Sequence, residues 1–154
     1  MITFEEITQE SLYIAEEIIN SNKSYNKMEN GKETRSQKEV AQELNNNKTT
    51  SYFIKLDDTY IGLIDYFPVN PNDNYPWLGL LMIHADYQQF GFGSSAYVLF
   101  ENQLQEKGVK TLRLGVLQEN MRARQFWERL GFTFYETKEK HNKQIDCFEK
   151  KLTS

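Results

Sequence analysis

The sequence predicts a mixed α/β fold, and three stretches carry that expectation. The apolar run Trp77-Leu78-Gly79-Leu80-Leu81-Met82-Ile83 reads as a buried strand, a glycine turn follows it, and Tyr97, Phe100 and Leu104 then recur at helical spacings between Ser94 and Lys107. The alternation repeats downstream, with a strand over Thr111-Leu112-Arg113-Leu114-Gly115-Val116 and a helix from Met121 to Leu130. Two closing strands, Phe132 to Lys138 and Asp146 to Leu152, flank a polar loop.

Each remaining element has a local cause. Ile2 to Ile7 alternates weakly as an opening strand, and Gln9 to Asn22 sets Leu12, Ala15, Ile18 and Ile19 on one helical face. Asn20 to Arg35 is polar and without period, which predicts a mobile connection. Ser36-Gln37-Lys38-Glu39 is a capping box, in which the Ser hydroxyl and the Glu carboxylate each satisfy a backbone N–H; it opens a short helix carrying Val40 and Leu44. Ser51 to Leu56 and Tyr60 to Phe67, joined by Asp57-Asp58-Thr59, predict a hairpin. Asn120 can cap the helix that starts at Met121, and Gly131 stops it.

Composition narrows the function. The 154 residues are expected to form one domain over 1–154, burying about two thirds of the unfolded surface in one core. Apolar residues make up 39% and aromatics 14%, so Phe, Tyr and Trp are expected to carry much of that core. A net charge of −4 argues against a nucleic-acid surface, which needs a basic stripe. Cys147 is the only cysteine, which excludes an internal disulfide and a multi-cysteine metal site; no metal is expected. The residues from Met1 to Glu6 show no basic flank or apolar signal core, and no apolar run approaches the ~20 residues that span a bilayer. The expectation is a soluble, cytoplasmic protein without a membrane partner, and a homodimer stays open.

The turn from Asp86 to Ala96 is the most informative stretch for chemistry. Glycines at 91 and 93 let the backbone curl so that several N–H groups converge, and the following helix adds the positive end of its dipole, a geometry suited to phosphate. A tight packing turn without ligand would use the same glycines. Gly91 to Ala96 also spells the dinucleotide fingerprint G-x-G-x-x-A, but no Asp or Glu closes the next strand before Glu119 to hold a ribose. The third reading is a coenzyme A pyrophosphate loop. Gln88-Gln89-Phe90-Gly91-Phe92-Gly93 resembles the Q/R-x-x-G-x-G/A loop of the GCN5-related N-acetyltransferase (GNAT) family. Asn120 to Phe132 is similar to that family's N-x-x-A-x-x-(F/L)-(Y/W)-x-x-x-G-F segment, and the match runs from Tyr60 to Phe134.

The resemblance implies the GNAT acyl-CoA N-acyltransferase fold: three layers around a mostly antiparallel central sheet, splayed between the fourth and fifth strands. It places acetyl-coenzyme A in the wedge as co-substrate. Leu81, Met82 and Ile83 would offer a backbone edge to its amide-bearing arm, Gln88, Gln89, Phe90, Gly91, Phe92, Gly93 and Ser94 would surround its pyrophosphate, and Asn120 and Trp127 would lie beside it. The implied reaction is direct attack of a primary amine, on a small molecule or a peptide, in a ternary complex. No covalent enzyme intermediate is needed, so Cys147 is read as packing. A non-catalytic acyl-CoA-binding module of the same fold is the alternative.

Two positions depart from the family pattern. Trp127 stands where many members carry a tyrosine able to protonate the leaving sulfur; an indole N–H is far too weak an acid, so Trp127 is read as packing, beside the cofactor arm or in the core. Leu78-Gly79-Leu80 and Gly115 occupy places where relatives often carry a carboxylate base. Asp65, at the end of a predicted central strand, is the preferred candidate base; Glu33, Glu136 and Asp146 come next, with Tyr66 and His141 weaker and His84 read as a turn residue. Asn20 to Asn47 and Glu136 to Gln144 are expected to line the acceptor pocket. Proton removal is then expected through water to a peripheral acid, with no single acidic side chain essential.

Overall fold

The computed structural model describes residues 1–152. Seven strands form one sheet: β1 (Ile2–Glu6), β2 (Thr50–Leu56), β3 (Thr59–Phe67), β4 (Trp77–Ile83), β5 (Thr111–Leu117), β6 (Thr133–Lys140) and β7 (Lys143–Lys151). The order across the sheet is β1-β2-β3-β4-β5-β7-β6, antiparallel throughout except between β4 and β5. Five helices cover it: α1 (Leu12–Asn20), α2 (Lys23–Asn30), α3 (Gln37–Leu44), α4 (Phe92–Glu106) and α5 (Met121–Arg129). The mixed α/β class and the splayed antiparallel sheet are as the sequence led one to expect.

Two apolar clusters show how the layers pack. Leu12, Ala15, Ile18 and Ile19 of α1, with Val40 and Leu44 of α3, close over Phe53, Leu63, Leu80 and Met82 on one face of the sheet. On the other face Tyr97, Phe100 and Leu104 of α4 and Trp127 of α5 pack on Ile54, Ile64, Leu112, Leu114 and Phe148. The capping box at Ser36 is formed as read, its hydroxyl accepting the Glu39 N–H and the Glu39 carboxylate accepting the Ser36 N–H.

Two expectations are corrected. The supposed mobile stretch from Asn20 to Arg35 contains helix α2, which begins after Asn22 and stops at Gly31, a left-handed C-terminal residue with φ 81°. Its apolar signal is weak because the inner side is built from polar groups: Asn26 is fully buried and donates to the carbonyls of Ile19 and Glu33. The polar loop between the closing strands contracts to a tight turn at His141 and Asn142, with φ 52° and 62°. Both central residues are left-handed, as a two-residue hairpin turn requires, and the flanking strands are polar because most of β6 is exposed.

The feature that positions the site is the junction of β4 and β5. Only Trp77 with Arg113 and Leu78 with Leu114 are paired there. On the opposite edge of β4, Tyr66 faces Leu78 and Asp65 faces Leu80, so Gly79 is an extra residue, a β-bulge. The bulge bends β4 at the point where its pairing to β5 ends. A side chain is excluded on both strands at that level: a Cβ on Gly79 would lie 2.8 Å from the Phe67 ring, and one on Gly115 would lie 2.8 Å from the Ile145 Cγ2. No helix among the described residues is long and apolar enough to cross a membrane.

Candidate functional site

The parted strands open a cleft of about 250 Å³ whose floor is the run Leu78 to Ile83 on one side and Leu114 to Leu117 on the other. Asn120, Ala123 and Trp127 of the α5 segment line it from one element, and Asn22, Tyr25 and Glu29 of the α2 segment line it from another. Along the free edge of β4, Leu81 and Ile83 turn their side chains into the α4–α5 cluster, and Met82 turns into the α1–α3 cluster.

At the mouth lies the glycine turn. Gln89 has φ 70° and Gly91 φ 82°, left-handed residues on either side of Phe90, and α4 starts directly after them. Alternation of this kind points successive amides to one side and makes an anion-binding concavity. The N–H groups from Gln89 to Ser94 donate to no acceptor among the described residues. Phe90 is exposed, Phe92 packs partly on the core, and a Cβ on Gly93 would meet only ordinary contacts, the nearest being Phe126 at 3.5 Å.

Gln88 does something the motif alone did not indicate. Its side-chain Nε2 donates to the Ile83 carbonyl at 2.8 Å and to Asn22 Oδ1 at 2.6 Å, and Asn22 Nδ2 donates to the same carbonyl at 3.1 Å. The end of β4, the glycine turn and the entry to α2 are thus tied at one point.

The other sequence candidates fall in varied places. Asn120 lines the cleft, and its Oδ1 accepts the Ala123 N–H at 3.1 Å, so it caps α5. Trp127 also lines the cleft but is 8% exposed, held edge-on by Tyr97, Phe126 and Phe132. Asp146 is buried and takes bonds from Arg124 Nη1 at 2.9 Å and Thr137 Oγ1 at 2.8 Å, which anchors α5 to β7. Glu136 pairs with Lys138 at the surface, His141 sits in the hairpin turn, and His84 Nδ1 accepts the Asp86 N–H. Tyr66 packs on Phe100 in the core, and Glu33 is exposed. Cys147 is buried, and burial first of all pushes its thiol up, which suits packing. Among the described residues no group of His, Cys, Asp and Glu gathers to hold a metal.

Asp65 is not among the residues lining the cleft. Strand alternation puts its side chain on the face of Leu63, where it meets Ser51 Oγ at 2.7 Å. Burial raises its pKa to about 6, against hydrogen bonds from Ser51 and Thr49 that lower it. Ser51 has one hydroxyl hydrogen and also lies 3.2 Å from the Leu44 carbonyl. Burial outweighs the hydrogen bond that Ser51 donates to Asp65 Oδ1. The folded state therefore holds the Asp65 carboxyl proton more tightly than the unfolded chain. The resulting stability is complete below the unfolded pKa near ~4 and is lost as pH rises through the folded value. Asp65→Asn is expected to stabilise the protein by about 2–3 kcal/mol at pH 8 and by little at pH 4, with turnover unchanged. Denaturant titrations at the two pH values check this, and a gain that ignores pH would contradict it.

Of the two segments expected at the acceptor end, 136–144 does not line the cleft, although neighbouring Ile145 does, whereas 20–47 contributes through α2. Asn22, Tyr25 and Glu29 follow one another at three and four, one face of a helix. That spacing was present in the sequence, and Gly31 marked the helix end.

Residues 13–132 match the model of the acetyltransferase (GNAT) family. The chain belongs to that family. Solved structures agree in fold. An acetyltransferase from Thermus thermophilus superimposes with a TM-score of 0.83 at 20% identity, covering 98% of this chain and 97% of that one. The ribosomal-protein-S18-alanine N-acetyltransferase of Escherichia coli gives 0.77 at 18% identity, with 100% and 96% covered. PaiA N-acetyltransferase of Thermoplasma acidophilum, in complex with coenzyme A, gives 0.70 at 18%, with 98% and 99% covered. No curated protein sequence matches the chain. This GNAT protein lines its cleft with both a tryptophan, Trp127, and the α2 carboxylate Glu29.

Proposed function

We propose that this GNAT protein is an N-acetyltransferase that moves an acetyl group from acetyl-coenzyme A to a primary amine by direct attack in a ternary complex. The observation that carries the reading is the cleft itself: β4 and β5 part at Gly79 and Gly115, and a turn of unpaired amides stands at its mouth. Unpaired backbone groups along a strand edge are costly unless something pairs with them, and an amide-bearing chain can do so as a partial strand. The residues suit acetyl-coenzyme A: Leu81 to Ile83 would pair with its amide arm, and the amides of Gln89 to Ser94 would hold its pyrophosphate without Lys or Arg. Bound there, it supplies a thioester open to nucleophilic attack.

The chain then has three tasks. Backbone N–H groups beside the β4 bulge steady negative charge as it grows on the carbonyl oxygen. Asn120 and Gln88 fix the walls through α5 and the turn, as their hydrogen bonds indicate. The side chains of the cleft floor from Leu78 to Ile83 and from Leu114 to Leu117 leave backbone polar groups, and no charged side chain, facing the reacting groups. The acceptor is an amine of a small molecule or a peptide end. The test is calorimetric titration with acetyl-coenzyme A followed by thiol release over a panel of amines. Tight binding without thiol release from any amine would favour the binding-module alternative.

A further inference from the structure

On the acetyltransferase reading, on which this inference rests, an acceptor amine must shed a proton inside the cleft. Glu29 is the one carboxylate among the described residues lining that cleft. We propose that Glu29 is the catalytic base for the attacking amine, and that the acceptor is a primary amine bearing a single positive charge.

The placement follows from the turn of α2. Asn22 is tied to the Ile83 carbonyl and to Gln88, which fixes the start of the helix against the end of β4. Tyr25 and then Glu29 follow on the same face, so the carboxylate lines the cleft about two helical turns on from Asn22, which is tied to Gln88 beside the glycine turn. At the other end of α2 Lys143 Nζ donates to the Met28 carbonyl at 2.7 Å, locking the β6–β7 hairpin to the helix.

The charges facing Glu29 come from every element around it. Burial is the largest influence and raises its pKa; Arg35 lowers it, Glu43 raises it, and Lys143 and Lys140 lower it. Arg35 is itself paired with Glu43. Burial, and next the Glu29 carboxylate, hold the Tyr25 phenol above its ordinary range, so it stays a neutral donor beside the acid. A carboxylate raised above its usual range is a better match to an ammonium proton than an ordinary one. As the amine nitrogen forms its bond to the acyl carbon, the carbon–sulfur bond breaks and the sulfur departs as thiolate. Before that attack the ammonium gives one proton to Glu29, which frees its lone pair and passes the proton to water; the second proton, surplus once the carbon–nitrogen bond has formed, leaves by the same route.

The same surroundings select the acceptor. A second ammonium on the substrate would find no second carboxylate in the cleft wall, and Lys140 and Lys143 would repel it. A monoamine with an apolar body meets Leu117 and Ile145 instead.

The test uses the full chain with hexylamine, benzylamine, a short peptide with a free N-terminus, and 1,4-diaminobutane. Glu29→Gln is expected to lower turnover on the order of a hundredfold while acetyl-coenzyme A affinity, read by calorimetry, stays within about twofold of wild type because the turn at the mouth is untouched. In the wild type the amine's specificity constant should fall as pH drops through the Glu29 pKa; in Glu29→Gln the fall should track the amine's own pKa near ~10. Glu29→Asp, shorter but still a base, should keep the wild-type shape at a lower rate. Wild-type turnover with an unchanged rate and profile in Glu29→Gln overturns the base assignment alone. Hexylamine outpaced by 1,4-diaminobutane overturns the monoamine assignment. A wild type that neither binds acetyl-coenzyme A nor releases thiol overturns the acetyltransferase reading itself.

Discussion

Gly91→Val will cost about tenfold or more in acetyl-coenzyme A affinity. Nothing lies within 4 Å of a Cβ at this position, so the cost is not a clash. It is conformational: φ is +82°, a region in which an L side chain loses roughly 1–2 kcal/mol, and a β-branched one more. The chain can relieve that only by rotating out of the left-handed region, which turns the neighbouring amides away from their common point. Each ~1.4 kcal/mol so lost is a tenfold change in binding. Gly93 differs although the motif makes the two look alike. It is in the first turn of α4 without a positive φ, and a methyl there meets only ordinary contacts. Gly93→Ala should therefore fold normally, and any loss of binding would come from crowding the ligand. Gln89→Ala should bind nearly as wild type, since that side chain is exposed. Calorimetry on the three variants, with melting temperatures alongside, decides it; unchanged affinity in Gly91→Val would remove the turn from the binding site.

Trp127→Phe should keep most of the turnover, whereas Trp127→Ala should lose about 3–5 kcal/mol of stability. The indole is wedged between three rings at centroid distances of 4.9 to 5.3 Å, all near perpendicular. A phenyl ring preserves most of those edge contacts, and a methyl group preserves none. An acid that delivered a proton to the leaving sulfur would instead cost on the order of a hundredfold when replaced by Phe. A drop of that size in a folded Trp127→Phe protein would sink the packing role. Steady-state rates and thermal melts on the same preparations separate the two effects.

What could be read from the chain in advance followed the strength of local signals. The wedge strand, α4 and the Asn120 segment combine an apolar period with glycine or capping residues, and each was legible because pattern and punctuation agreed. Helix α2 was not. Its inner face is Asn22, Tyr25, Asn26 and Glu29, polar groups that meet the cleft or the carbonyls of Ile19 and Glu33, contacts that no apolar periodicity reveals. Glu29 was hidden for the same reason, and Asp65 was preferred for its position on a central strand without knowledge of which face it took. That face depended on how β3 registers with its neighbours, and the β4 bulge at Gly79 is a register event with a single glycine as its only trace.

The two-rung junction between β4 and β5 also bears on how the chain reaches its native state. To one side of it, β1 through β4 pair in sequence order, joined from β2 to β3 by a tight turn. To the other, β6 and β7 form a hairpin that docks on β5. Each group can assemble from near neighbours once β1 has closed over the helical insertion, but the parallel seam needs α4 to cross over first, and it offers few hydrogen bonds in return. The topology thus makes the seam the late step, so that the cleft comes into being only as folding ends. Pulse-labelling hydrogen exchange that found the Leu78 and Leu114 rungs protected before β2 and β3 would reverse that order.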